Sequence, residues 1–470
     1  MLTYALQPDG REPLYEQLCR HIREDIRAGR LRAGEHLPSK RTLAENLGVS
    51  SITVENAYEQ LISEGYVASR PRRGYYVAAL GELLPPSPVS PVPRVPGGPQ
   101  RPAWWLDLSG NQTSPERFPF SVWARLMRET ISGDSAALLT PAPCSGVLAL
   151  REAIAGHLRS FRGMSVHPDQ IVVGAGTEYL YGLLIQLLGR GRVYCVENPG
   201  YPKLARIYRS HGVVCRCAAL DGQGMTVQGL RESEADVAHI SPAHHFPTGV
   251  IMPVSRRYEL LSWAGEREGR VIIEDDYDSE FRLNGRPLPT LQSIDAGGRV
   301  IYMNTFSKSL APTIRISYMV LPPRLAERYL ARLSFYACTV SNFEQYTLAR
   351  FIREGYFEKH INRMRLFYAR RRQQVLDALA ESPLAPRSRV EEAASGLHFL
   401  LCLDTALPDA ALQERLRAQG IHLASLSDYD LGGGGTPPHR FLINYSNLPP
   451  ERLPEALRRV AACLEEAPAP

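Results

Sequence analysis

The chain has 470 residues, 44% of them hydrophobic and 22% charged, enough apolar material for more than one sizeable core. It has no run of about 18 apolar residues, and Met1 to Arg11 lacks a signal-peptide core, so a cytoplasmic protein without a membrane segment is expected. The eight cysteines form no CxxC pair, which argues against a metal site and for a reducing compartment, and a net charge of +5 is too small for bulk charge to indicate nucleic acid.

Leu14, Leu18, Ile22 and Ile26 recur every fourth residue and predict a first helix closed by Gly29. Pro38-Ser39 opens a second, shorter helix through Leu43, Ala44 and Leu47, ended by Gly48. Ser50 caps a third, with Val54, Ala57, Tyr58, Leu61 and Ile62 inward and Gly65 at its end. Tyr66-Val67-Ala68-Ser69 and Gly74-Tyr75-Tyr76-Val77 read as two short strands around Arg70-Pro71-Arg72-Arg73. Two helices joined by a tight turn, then a basic-tipped hairpin, describe a winged helix-turn-helix.

The phrases Leu37-Pro38-Ser39-Lys40-Arg41-Thr42-Leu43-Ala44, Gly48-Val49-Ser50 and Glu64-Gly65-Tyr66-Val67 resemble the DNA-binding domain of GntR-type regulators. That resemblance implies a double-stranded DNA operator. Lys40, Arg41, Ser50, Ser51 and Thr53 are expected at phosphates or base edges, and Arg72 and Arg73 at the minor groove or backbone. Ser51 stands where relatives commonly carry arginine, and Glu55 occupies another position that is often basic. Glu55 is expected to repel phosphate or to accept from a cytosine amine. Residues 1–78 hold eleven Lys/Arg against ten Asp/Glu, so affinity should rest on a few placed contacts and on dimerisation.

Residues 79–103 contain Leu84-Pro85-Pro86-Ser87-Pro88, Pro91-Val92-Pro93 and Pro96-Gly97-Gly98-Pro99, a density of proline that holds neither helix nor central strand. An extended, semi-rigid linker is expected there. It divides a DNA-binding domain, 1–78, from a large domain, 104–465.

In the large domain, Ile171-Val172-Val173-Gly174-Ala175-Gly176-Thr177-Glu178 is a strand entering a helix through small residues, which lets backbone N–H groups close on a phosphate. A second strand and loop, Val193 to Tyr201, presents Tyr201. The apolar strand Val271-Ile272-Ile273 delivers Glu274-Asp275-Asp276-Tyr277-Asp278 at its C-terminal end, where open α/β sheets place their sites. Between two buried-strand patterns lies Asn304-Thr305-Phe306-Ser307-Lys308-Ser309-Leu310-Ala311-Pro312-Thr313-Ile314-Arg315. A lysine flanked by hydroxyls, with an arginine seven positions on and a carboxylate upstream, suits pyridoxal 5′-phosphate (PLP). Lys308 would form the Schiff base and Asp275 pair with the pyridinium nitrogen. Arg315 with hydroxyls such as Thr305 and Ser307 would neutralise the phosphate, beside Ala175, Gly176 and Thr177.

From about 104 to 465 the chain resembles the fold-type I PLP-dependent aminotransferases, which implies an α/β fold, Tyr201 stacked on the cofactor ring and Tyr277 bonded to the ring hydroxyl. Ser241-Pro242-Ala243-His244-His245-Phe246-Pro247-Thr248-Gly249 is similar to the loop in which those enzymes keep asparagine at the position of Phe246, with His244 or His245 as substitutes for it. Asp276 and Asp278 should point away or brace the loop. The winged helix, proline-rich linker and fold-type I domain together resemble the MocR regulators, best known through the GabR type. The resemblance implies a homodimer that keeps PLP as a sensing element for an amine, an amino acid or PLP itself. Lys203 falls where the GabR type has an effector-binding arginine, and Arg440 is a second candidate for an effector carboxylate, two residues off the usual enzyme position. Pro141 replaces the tyrosine that reaches the neighbouring subunit's phosphate in many enzymes. The alternatives are a working aminotransferase that carries a DNA-docking module and a large domain that serves only as a dimerisation body, against which the retained Lys308, Asp275 and Arg315 argue.

Overall fold

The hydroxyls of Ser39 and Ser50 each accept the amide of the residue three positions on, Thr42 at 3.2 Å and Thr53 at 3.1 Å, and so start the two helices of the helix-turn-helix. These elements belong to a computed structural model that describes residues 2–8, 12–79, 102–110, 115–133, 135–282, 288–391, 396–432 and 435–465. The chain divides into two units, Met1–Arg101 and Pro102–Pro470. The expected linker falls almost wholly on residues 80–101, outside the described residues. No described helix is long and apolar enough to cross a membrane.

In the first unit, helices Leu14–Arg27, Lys40–Leu47 and Ser51–Ser63 bury Leu18, Ile22, Leu43, Val54, Tyr58 and Leu61 against one another. Gly48 closes the middle helix at φ 67°, a left-handed conformation that glycine adopts without steric penalty. Strands Val67–Arg70 and Gly74–Val77 form the hairpin. His36–Leu37 adds a third strand, antiparallel to Gly74–Val77, that sequence reading does not anticipate, because two residues carry no period.

The second unit is built on an eight-stranded sheet. Its order is Ile171–Gly174, Ser317–Val320, Val300–Thr305, Val271–Asp275, Val237–Ile240, Val193–Asn198, Val214–Asp221 and Gly224–Met225. The five strands from Val300–Thr305 to Val214–Asp221 run parallel, and Ser317–Val320 is antiparallel to both neighbours. Strands buried on both faces need apolar residues at successive positions. Tyr302 accordingly packs into the core with Leu150, Ile154 and Phe351, while Ile301 and Met303 pack oppositely with Leu180, Leu184 and Ile273. A separate antiparallel sheet of Ser388–Glu391, His398–Leu403 and Arg440–Asn444 completes the unit, with helices Asp409–Ala418 and Leu453–Leu464.

Candidate functional site

The parallel strands of the large sheet deliver their C-terminal residues to a cavity of about 520 Å³. Along Val271–Asp275 and the residues after it, side chains alternate. Glu274 lies 3.6 Å from Arg257, and Asp276 is bonded to Arg162 at 2.9 Å and Tyr302 at 2.6 Å on the far side. Asp275 and Tyr277 line the cavity instead. The Tyr181 hydroxyl donates to Asp275 Oδ2 at 2.7 Å, and His239 Nε2 lies 3.3 Å from the same oxygen. His239 Nδ1 lies 2.6 Å from the Tyr208 hydroxyl, which fixes the ring between Asp275 and Tyr208. Asp275 Oδ1 is buried with no hydrogen-bond partner among the described residues.

Lys308 follows the strand Val300–Thr305 in the short helix Phe306–Ser309 and lines the same cavity. Thr305 starts that helix, its Oγ1 accepting from the Ser307 amide at 3.1 Å and from the Ser317 hydroxyl at 2.8 Å. Burial pushes the Lys308 amine down to about 8, opposed by the charge of Asp278. Asp278 is in turn held by His244 Nδ1 at 2.9 Å, which also lies 3.3 Å from the Tyr277 hydroxyl.

At another wall, Gly176 precedes the helix Thr177–Leu188 at φ 92°. A Cβ on Gly176 would stand 2.4 Å from Arg315 Nη2, so only glycine leaves that guanidinium its place. Arg315 itself is held at φ 52°, an uncommon conformation for a non-glycine residue. Thr177 and the guanidinium share the cavity with Thr305 and Ser307.

Other sequence-derived candidates are placed differently. The Ala175 amide donates to Thr339 Oγ1 at 3.0 Å, so it fixes the turn and is not directed at a ligand. Lys203 lines the cavity but is ion-paired with Glu178. Arg440 does not line it; it begins an edge strand and lies 3.5 Å from Glu391, which engages its guanidinium. Neither His244 nor His245 lines the cavity: His244 is engaged by Asp278, and His245 Nδ1 lies 2.7 Å from Thr248 Oγ1. Tyr201 lines the mouth, about half exposed.

Sequence reading missed Tyr181, His239 and Glu197. A histidine inside the apolar strand Val237–Ile240 was the available signal, since buried polar groups need partners. Glu197 is buried beside Asp275, and loss of hydration pushes its carboxyl up to about 8. Burial likewise lowers its neighbour His245 to about 3. His245 Nε2 lies 3.4 Å from Glu197 Oε2, and burial disfavours the charged form of each.

On the winged helix, Arg41 is 87% exposed, and Arg72 and Arg73 are exposed at the hairpin tip. Ser51 opens the third helix and is exposed. The Ser50 hydroxyl serves as a cap and lies 2.8 Å from the Thr53 hydroxyl. Lys40 is ion-paired with Glu55 and lies over the Tyr75 ring, so the charge expected at DNA is engaged within the domain.

Comparison with known proteins agrees with both units. Residues 14–77 match the family described as bacterial regulatory proteins, gntR family, and residues 104–460 match aminotransferase class I and II. The chain is 37% identical to the uncharacterized HTH-type transcriptional regulator YdeL of Bacillus subtilis, over 88% of this chain and 89% of that one. It is 33% identical to the probable rhizopine catabolism regulatory protein MocR of Rhizobium meliloti, over 96% and 94%. With the pyridoxine biosynthesis regulator PdxR of Corynebacterium glutamicum it shares 32%, over 92% of each. Among solved structures, a Pyrococcus horikoshii kynurenine aminotransferase in complex with PMP superposes with a TM-score of 0.67 at 27% identity, covering 76% of this chain and 90% of the other. The chain therefore belongs to the MocR-type family of transcriptional regulators, which join a GntR-type helix-turn-helix domain to an aminotransferase class I and II domain.

Proposed function

We propose that this protein is a cytoplasmic, homodimeric transcriptional regulator that binds a DNA operator and holds PLP to sense an amine, an amino acid or PLP itself. The observation that carries the reading is the presence, in one chain, of a winged helix with exposed basic residues and a cavity where Lys308, Asp275 and Arg315 converge. The pyridoxine biosynthesis regulator PdxR and the aminotransferase solved with PMP, both similar to this chain, are consistent with it.

The residues fit the cofactor. Asp275 Oδ1, buried and without a hydrogen-bond partner among the described residues, would accept a hydrogen bond from the ring N–H. Arg315, Thr177 and the first-turn amides of the helix Thr177–Leu188 would hold the phosphate, since those amides have no intrahelical acceptor. Tyr201 would cover the ring and Tyr277 would hold its hydroxyl. With its amine lowered to about 8, Lys308 has a sizeable neutral fraction near physiological pH, and the neutral form is the nucleophile. When bound, PLP supplies an aldehyde that amines attach to and a ring that withdraws electrons.

A second reading, a working aminotransferase with a docking module, has less support. Phe246 supplies no hydrogen bond where the enzymes keep asparagine, and Arg440 is turned to Glu391. Regulation requires only that the effector bind one state of the protein better than another.

The test is an absorbance scan of the purified protein with genome-wide mapping of the DNA it binds. A visible band that Lys308→Ala abolishes, with binding at discrete sites, is the expected result. A band that survives Lys308→Ala would refute the lysine assignment, and the absence of discrete sites would refute the regulator.

A further inference from the structure

Three aromatic rings form one wall of the cavity. Phe246 meets Tyr201 edge-on at 6.0 Å between centroids and Tyr429 edge-on at 5.2 Å. Phe246 and Tyr429 pack on a buried aliphatic cluster of Leu400, Leu426 and Leu442. His398, 5.3 Å from Phe246, is held uncharged by burial. This wall therefore presents aromatic faces and edges, with Lys203 and Glu178 near Tyr201 and with Asp428 and Asp107 near Tyr429.

Among the described residues lining the cavity, the cations are Lys203, Lys308 and Arg315. Of these, Lys203 lies near Tyr201. Lys203 is paired with Glu178, and Arg315 is 3.8 Å from the same carboxylate and packed against Gly176. Arg440 is engaged by Glu391 outside the cavity. Three carboxyl groups, Glu178, Glu197 and Asp275, also line it. A ligand carboxylate laid against Phe246 and Tyr429 would meet Lys203 only in competition with Glu178, and a buried charge is tolerated only when paired. An apolar group would instead gain edge-to-face contacts and remove aromatic surface from water. The cavity volume of about 520 Å³ lies within the range of small-molecule sites.

We propose that the wall of Tyr201, Phe246 and Tyr429 selects an apolar or aromatic primary amine that lacks a carboxylate, so the effector is an amine and not an amino acid. The inference rests on the reading of the large unit as a PLP-holding sensor.

Phenylalanine and 2-phenylethylamine differ only by the carboxylate and make a matched pair of probes. Each is titrated into full-length, PLP-loaded protein at equal concentrations of unprotonated amine, with the visible spectrum and the thermal unfolding midpoint as readouts. 2-Phenylethylamine should change both at a concentration at least about tenfold lower than phenylalanine. Phe246→Asn should reduce that preference to less than about threefold. Equal potency of the two probes, indifference to 2-phenylethylamine, or a stronger response to 4-aminobutyrate would each overturn the proposal. An unchanged preference in Phe246→Asn would remove Phe246 from the selecting wall. Failure of the wild-type protein to develop a visible band with PLP would overturn the underlying reading instead.

Discussion

Tyr181 and Asp275, on a helix and a strand 94 residues apart in sequence, are joined by a 2.7 Å hydrogen bond to Oδ2, while Oδ1 is buried with no hydrogen-bond partner among the described residues. The bond orients the carboxylate, and His239 supports it more weakly at 3.3 Å. A hydrogen bond to a charged group contributes about 1.5–3 kcal/mol. Tyr181→Phe should therefore weaken PLP binding by about ten- to hundredfold, measured by equilibrium titration of the apoprotein. Unaltered affinity would mean that Asp275 is oriented without Tyr181.

The Lys308 amine predicts a pH profile. Burial favours its neutral form, so its folded pKa lies below the ordinary lysine value, at about 8. Below that pH the amine is mostly protonated and has no lone pair to offer. The rate at which apoprotein acquires the visible band with PLP should rise about tenfold per pH unit and level off near pH 8. Asp278 opposes the shift, so Asp278→Asn should move the break to lower pH. A break that stays in place in that variant would contradict the assignment.

Gly176 packs directly against Arg315, which lines the cavity. Gly176→Ala places a methyl 2.4 Å from the guanidinium at a backbone φ of 92°, and such strain costs on the order of 1–3 kcal/mol. Weaker PLP binding and a lower apoprotein unfolding midpoint are expected together. Calorimetric titration and thermal melts of the same preparation measure both.

On the winged helix, Arg41 and Glu55 should act in opposite directions. Arg41 is 87% exposed, and a lost contact at DNA costs about 1–3 kcal/mol. Arg41→Ala should weaken operator binding while PLP content is retained. Glu55→Gln removes a negative charge and releases Lys40 from its ion pair. It should tighten binding and steepen the salt dependence by about one contact. Gel-shift titrations at two salt concentrations distinguish the outcomes. Weaker binding by Glu55→Gln would instead show that the carboxylate reads a base.

Local chemistry was legible in the sequence. The fourfold apolar repeat of Leu14 to Ile26, the caps at Ser39 and Ser50, and the apolar strand before Asp275 all express periods and hydrogen bonds contained within a few residues. So did the Lys308 segment, whose flanking strands are visible as apolar runs. Tertiary structure alone decided which groups meet. It gave Asp275 the Tyr181 hydroxyl and His239, sent Asp276 to Arg162, tied Lys40 to Glu55 and took Arg440 to Glu391. Those pairings depend on strand order and on which face of each element is covered. A periodicity shows that a face exists, but its partner is set by chain segments tens to hundreds of residues away.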